Sequence, residues 1–284
     1  MVIGTAARRT SFVFLCCVPF LNFITAGDRA LRIPGLYQVA GLAFFAAVVV
    51  AAWVLGGQAL RSGAGAARRL ALAGALLLGP WAMVSLFWVG LSTPWEATPG
   101  ENLMRYQVLL VGAMVVTIGF TLLAEALRAA GGNDEAMSVG VAASSLAGAG
   151  YLVWVAYEIG IWVARAHAEN AALASAPVDD PLEFLLDAAC GLTYLATAAF
   201  AVALGRAALL GRGGTRAYVI LNALPVLFLV LKELKSAVPS SHTAPWYAQP
   251  GFVVGIPAVP WIMPFLLGVV VLRRAGFLRS AASA

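Results

Sequence analysis

The sequence predicts an all-α, polytopic transmembrane helical bundle of about eight spans, and three observations carry that prediction. Of 284 residues, 62% are hydrophobic and only 11% are charged, too little polar surface to cover a water-soluble globule of this length. Long apolar runs fill the chain from Ser11 to Leu272, and most of the charge sits in the gaps between them. Runs such as 36–60 lack the two-residue alternation of a barrel strand, so the backbone must satisfy itself as helices.

The first span, 11–27, is at the short limit for crossing a bilayer. Arg8 and Arg9 before it, with Ala26 and Gly27 at its end, also fit a cleaved signal segment, which would leave seven spans. Pro19 and Asn22 interrupt its apolar region and favour retention. The spans at 36–60 and 70–92 carry no charge, and the latter contains Pro80. The fourth, 105–128, has Arg105 at one end and Glu125 with Arg128 at the other, spaced for a pair on one helix face. In the fifth, 136–164, Gly140, Ser144 and Gly148 recur every four residues, a narrow face that predicts close packing and a central place in the bundle.

The sixth span covers 184–205 and the seventh 216–234, whose uncharged part runs only from Ala217 to Leu231. The eighth, 251–272, carries Pro257, Pro260 and Pro264 and is expected to kink. All of residues 1–284 form a single integral membrane domain, since the longest loop is too short to bury a core of its own.

With eight spans, one side receives twelve arginines and the other receives Arg29, Arg32, Arg105, Arg165, Lys232 and Lys235, which places both termini in the cytoplasm. The formal charge of +5 is scattered in ones and twos at span ends, so no nucleic acid is expected as a partner; the lipid bilayer is. Sixteen of the 18 basic residues are arginine in an alanine-rich chain, a composition that fits a bacterial inner membrane. Cys16, Cys17 and Cys190 all lie in apolar runs and make neither a disulfide framework nor a spaced metal site. His167 and His242 fall in separate loops without ligand spacing, so neither metal nor cofactor is expected.

Charge inside the spans is the pointer to function. The fifth span rises roughly 43 Å against a hydrocarbon core of ~30 Å, which leaves Glu158 about 12 Å outward of its centre and still within the apolar slab. Lys232 stops short of the outer interface, and Asp187 enters from the outer end of the sixth span. These three are the expected substrate-binding residues: a vestibule open to the outside, with Lys232 neutralising Glu158 or Asp187, and with the 239–250 loop as a candidate lid. Trp88, Trp95, Trp154, Trp162, Trp246 and Trp261 gather towards the outer half and fit an aromatic belt. Mid-span hydroxyls such as Thr117, Ser144, Tyr151, Thr193 and Thr197 fit either a path lining or interhelical contacts.

No nucleophile elbow, P-loop or dinucleotide fingerprint occurs. The expected function is a small transporter or permeation protein for a small solute or ion. An intramembrane enzyme using Glu158 or Asp187 as general acid or base on a lipid-linked substrate, and a non-catalytic sensor or assembly subunit, are the alternatives.

Overall fold

The structure, a computed structural model, describes residues 4–26, 36–61, 65–88, 98–130, 135–166, 179–236 and 251–282. Among these residues the protein is all helical. The helices are α1 (Thr5–Ala26), α2 (36–61), α3 (Gly65–Trp88), α4 (Pro99–Ala129), α5 (Glu135–Ala166), α6 (Asp179–Arg206), α7 (Arg212–Ser236) and α8 (Ile262–Ala282). Seven runs are long and apolar enough to cross a membrane: Val39–Arg61, Gly65–Val84, Pro99–Ala129, Glu135–Ala164, Pro181–Arg206, Arg212–Leu234 and Val259–Gly276. The protein is therefore a multispan helical membrane protein.

α1 is not one of the seven, yet it is built into the bundle. Leu15 and Val18 are fully buried, Phe14 meets Phe44 of α2 edge to face at 6.1 Å, and the Arg273 guanidinium of α8 lies 4.3 Å from the Phe12 ring centre. Arg8 donates to the Gln58 side chain at 3.3 Å.

From α3 to α7 each helix packs against the next, and α8 lies against α3 while also reaching α1, α2 and α6. The sequence expectation that the fifth helix is central needs correction. The α8 span is 67% buried, followed by α6 (61%) and α3 (56%), against 50% of the α5 span and 11% of the α7 span, so α8 is the most buried span and α7 the least.

Small residues let α8 in. The backbones of Gly74 and Gly268 touch so closely that a Cβ on Gly74 would sit 2.9 Å from the Gly268 carbonyl, and one on Gly268 2.7 Å from that of Gly74. α2 widens into a π turn at Trp53–Gly57, where Gly56 faces Leu272 and the Leu55 carbonyl faces Gly276. The small face of α5 packs as its spacing implied: Gly140 against the Phe200 ring of α6 and Gly148 against Thr117 of α4.

Three boundaries differ from the sequence reading, each for a local reason. α4 starts at Pro99 instead of Arg105 because Thr98 and Glu101 form a capping box and Pro99 occupies the first turn. α6 begins at Asp179, which brings Glu183 onto the helix one turn before Asp187. The run 251–272 is not one helix: it is a four-residue turn, Phe252–Gly255, then a 3-10 turn, Val259–Trp261, then α8. Ile256 is extended (ψ 128°) because the ring of Pro257 crowds a helical residue before it.

Candidate functional site

Two polar clusters form at the same end of the bundle, where α4, α6 and α8 begin and α5 and α7 finish. The first joins α6 to α7. Lys232 Nζ donates to Asp187 Oδ2 at 2.5 Å and to Glu183 Oε1 at 2.8 Å. The Asp187 side chain is only 3% exposed, that of Lys232 17% and that of Glu183 61%, so the ammonium bridges a buried carboxylate to one near the surface. Glu233 is the next residue on α7. One ammonium thus meets two carboxylates.

A broken chain roofs this cluster. Gly251, at φ +88°, has a left-handed backbone that a side-chain-bearing residue adopts only with strain. A Cβ there would also lie 2.5 Å from the Phe228 carbonyl and 2.9 Å from Lys232 Cβ, so glycine pins the turn directly onto α7. At Gly255 a Cβ would lie 2.6 Å from Asp187 Oδ1, an oxygen with no hydrogen-bond donor among the described residues.

The carbonyls in the break are held by side chains of α6. Tyr194 Oη donates to Val254 at 3.2 Å, and Cys190 Sγ donates to Gly255 at 3.7 Å. Cys190 Sγ also lies 3.3 Å from Tyr151 Oη of α5, whose ring lines one gap with Thr193. A buried polar seam therefore descends from Asp187 through Cys190, Tyr151 and Thr193 towards Thr197.

At its lower end the bundle is tightly closed. The gap lined by Thr117, Ser144, Gly148, Tyr151, Thr193 and Trp261 has no room for a water molecule. Trp261 rests on Gly112, where a Cβ would come within 2.5 Å of the indole, and meets Tyr151 edge to face at 5.7 Å.

The second cluster joins α4 to α5. Tyr106 donates to the Glu158 carboxylate and accepts from the Trp162 indole, while Trp154 packs on it edge to face at 5.5 Å. Trp154, Glu158 and Trp162 form one four-residue stripe of α5 that grips this phenol. One residue earlier on α4, Arg105 is 3% exposed and donates to Asn102 Oδ1 at 2.5 Å.

Comparison with known protein families, characterised proteins and solved structures gives no match.

Of the three sequence-predicted residues, the structure brings two into contact: Lys232 neutralises Asp187. Glu158 stands apart from that pair and takes Tyr106 as its partner. Glu183, Glu233, Tyr106 and Arg105 were not among the candidates. For Glu183 and Arg105 the signal was the capping and spacing that carry their helices outward past them; for Tyr106 it was the stripe at 154, 158 and 162.

The aromatic-belt reading fails for Trp154 and Trp261, which are buried in the bundle, because sequence depth does not tell which face a ring takes. Thr117, Thr121, Thr193 and Thr197 bond the carbonyl four residues back on their own helices, and Ser144 the one three back. Among the described residues no group of three or more His, Cys, Asp or Glu is placed to hold a metal ion. The candidate lid 239–250, His167, His242 and Trp246 lie outside the described residues, as does Trp95.

Proposed function

We propose that the chain is a small transporter or permeation protein, admitting a small solute or ion through a polar vestibule where α5, α6, α7 and the broken start of α8 meet. The observation that carries this reading is the Asp187–Lys232 pair with its roof. A buried carboxylate within an apolar bundle is costly to keep and is retained where a polar route passes. The interrupted chain beside it, its carbonyls held by Tyr194 and Cys190, is the arrangement by which transporter folds present backbone to ions and polar groups.

The seam through Cys190, Tyr151 and Thr193 extends polarity inward from the pair. Trp261 on Gly112 then acts as the inner gate, so passage requires α8 to shift against α4. The excess of arginine at the opposite helix ends supports an outward-facing vestibule, both termini in the cytoplasm and a cytoplasmic-type membrane. Glu158, oriented by Tyr106, contributes a second carboxylate at the same end and lines the α5 side of the entrance.

The test is flux across proteoliposomes of the full chain. Proton flux is followed with a trapped pH-sensitive dye, and neutral solutes by osmotic swelling. Wild-type flux above protein-free liposomes, falling to their level in D187N, supports the proposal. Wild-type flux no greater than that of protein-free liposomes, or unchanged flux in D187N, contradicts it.

A further inference from the structure

We propose that the Asp187–Lys232–Glu183 cluster is an exchange site for a small ammonium-type cation, ammonium itself or a primary alkylammonium, and that the Lys232 ammonium is a tethered occupant which the free cation replaces. Three observations meet here. Lys232 Nζ lies 2.5 Å from Asp187 Oδ2 and 2.8 Å from Glu183 Oε1, so a position the size of one ammonium group is already built between two turns of α6. Two ionised carboxylates on one ammonium leave one negative charge in excess, which draws in a cation and repels an anion.

The second observation is an unused acceptor. The Asp187 side chain is 3% exposed, yet its Oδ1 has no hydrogen-bond donor among the described residues. Lys232, held by its stem, leaves this oxygen unserved, whereas a free cation can turn its N–H groups towards it. The broken chain beside it adds acceptors and no charge: the Val254 and Gly255 carbonyls each carry two lone pairs, of which a side chain of α6 takes one.

The third observation is a way out for the tether. The buried carboxylate and the 61% exposed one share the same ammonium, so the flexible stem of Lys232 can follow Glu183 towards the surface and keep one ion pair while it releases the other. Exchange then needs rotation about side-chain bonds and no covalent step. The vacated position has room for one compact, singly charged group; among the described residues no three His, Cys, Asp or Glu side chains gather to hold a metal ion. As the substrate class of the vestibule this cation rests on the transport reading; the exchange at Lys232 does not.

The chain has two lysines, Lys232 and Lys235, so lysine labelled with ¹³C at Cε gives two side-chain NMR signals in the purified full chain, assigned with K235R. Methylammonium chloride added at constant ionic strength is expected to shift the Lys232 signal to saturation and to leave that of Lys235 in place. Tetramethylammonium, which has no N–H to donate, and potassium are expected to leave both signals in place, and D187N is expected to abolish the response. A wild-type Lys232 signal that ammonium and methylammonium do not move, or that tetramethylammonium or potassium moves as far, overturns the proposal, as does a response that survives in a folded D187N protein. The wild-type titrations decide it even where D187N does not fold. A saturable shift in a protein that passes no methylammonium or other solute across liposomes keeps the cation site and removes the transport reading. Flux of other solutes without the shift does the reverse.

Discussion

Neutralising Lys232 and neutralising Asp187 break the same 2.5 Å contact, yet they are expected to differ sharply in cost. In K232M the Asp187 carboxylate keeps its burial and loses the ammonium that neutralises it. Its Oδ1 already has no donor among the described residues, and Gly255 lies against it. Stranding a buried charge costs about 3–5 kcal/mol, and the 17% exposure of Lys232 places this site near the lower end, about 3 kcal/mol.

In D187N the amide fits the same space, and Lys232 retains Glu183 at 2.8 Å near the surface, where its stem already delivers it. The cost there is about 1 kcal/mol, that of exchanging a charge-assisted hydrogen bond for a neutral one. Combining the two removes the stranded charge, so K232M/D187N is expected to be more stable than K232M by about 2 kcal/mol, which is a coupling of about 3 kcal/mol against the additive expectation and is measured directly by a double-mutant cycle. Reversible unfolding of purified protein in mixed micelles is the assay. Equal costs for the two single variants, or additive costs in the double, would refute the claim that Asp187 is the buried, dependent member of the pair.

Three further outcomes are expected. G112A drives a methyl group to within 2.5 Å of the Trp261 ring and should lower stability by about 1–3 kcal/mol, with partial recovery in G112A/W261F, both read by thermal unfolding in detergent. T98A removes the capping box of α4 and should cost about 1 kcal/mol, seen as faster amide exchange confined to the first turn after Pro99. α1, with Leu15 and Val18 buried against the bundle, is expected to stay attached; the intact mass of purified protein should include residues 5–26, and a chain starting near Asp28 contradicts that.

How much of this was legible in the sequence depends on which coordinate is asked for. Hydropathy reports depth along the membrane normal, so the spans, the place of Asp187 and Lys232 near a span end and the need for a partner at Glu158 were all visible. It does not report azimuth. In lipid, outward and inward faces are equally apolar, and the helical stripe that marks a buried face in water is largely erased. Hence Trp154 and Trp261 looked like belt residues and proved to be core, and Glu158 turned towards Tyr106 of α4 instead of Lys232 of α7.

The same limit hid the order of burial among the helices. α8 is the most buried span because Gly74 and Gly268 let it approach α3 closely, a fact of pairing between distant segments that no single window contains. The break at Ile256 was nearer to legible: Pro257 and Pro260 announced a kink, and only the side-chain donors on α6 that stabilise a full interruption were missing.

The claim on which the rest depends is that the Asp187–Lys232 end of the bundle faces outward and is open to solvent. A single cysteine at Glu183, in a chain whose Cys16, Cys17 and Cys190 are replaced by serine, reports on it in intact cells. The account predicts that E183C reacts with a membrane-impermeant thiol reagent added outside. Reaction only after the membrane is opened, or only from inverted vesicles, would place the vestibule on the other side and contradict it.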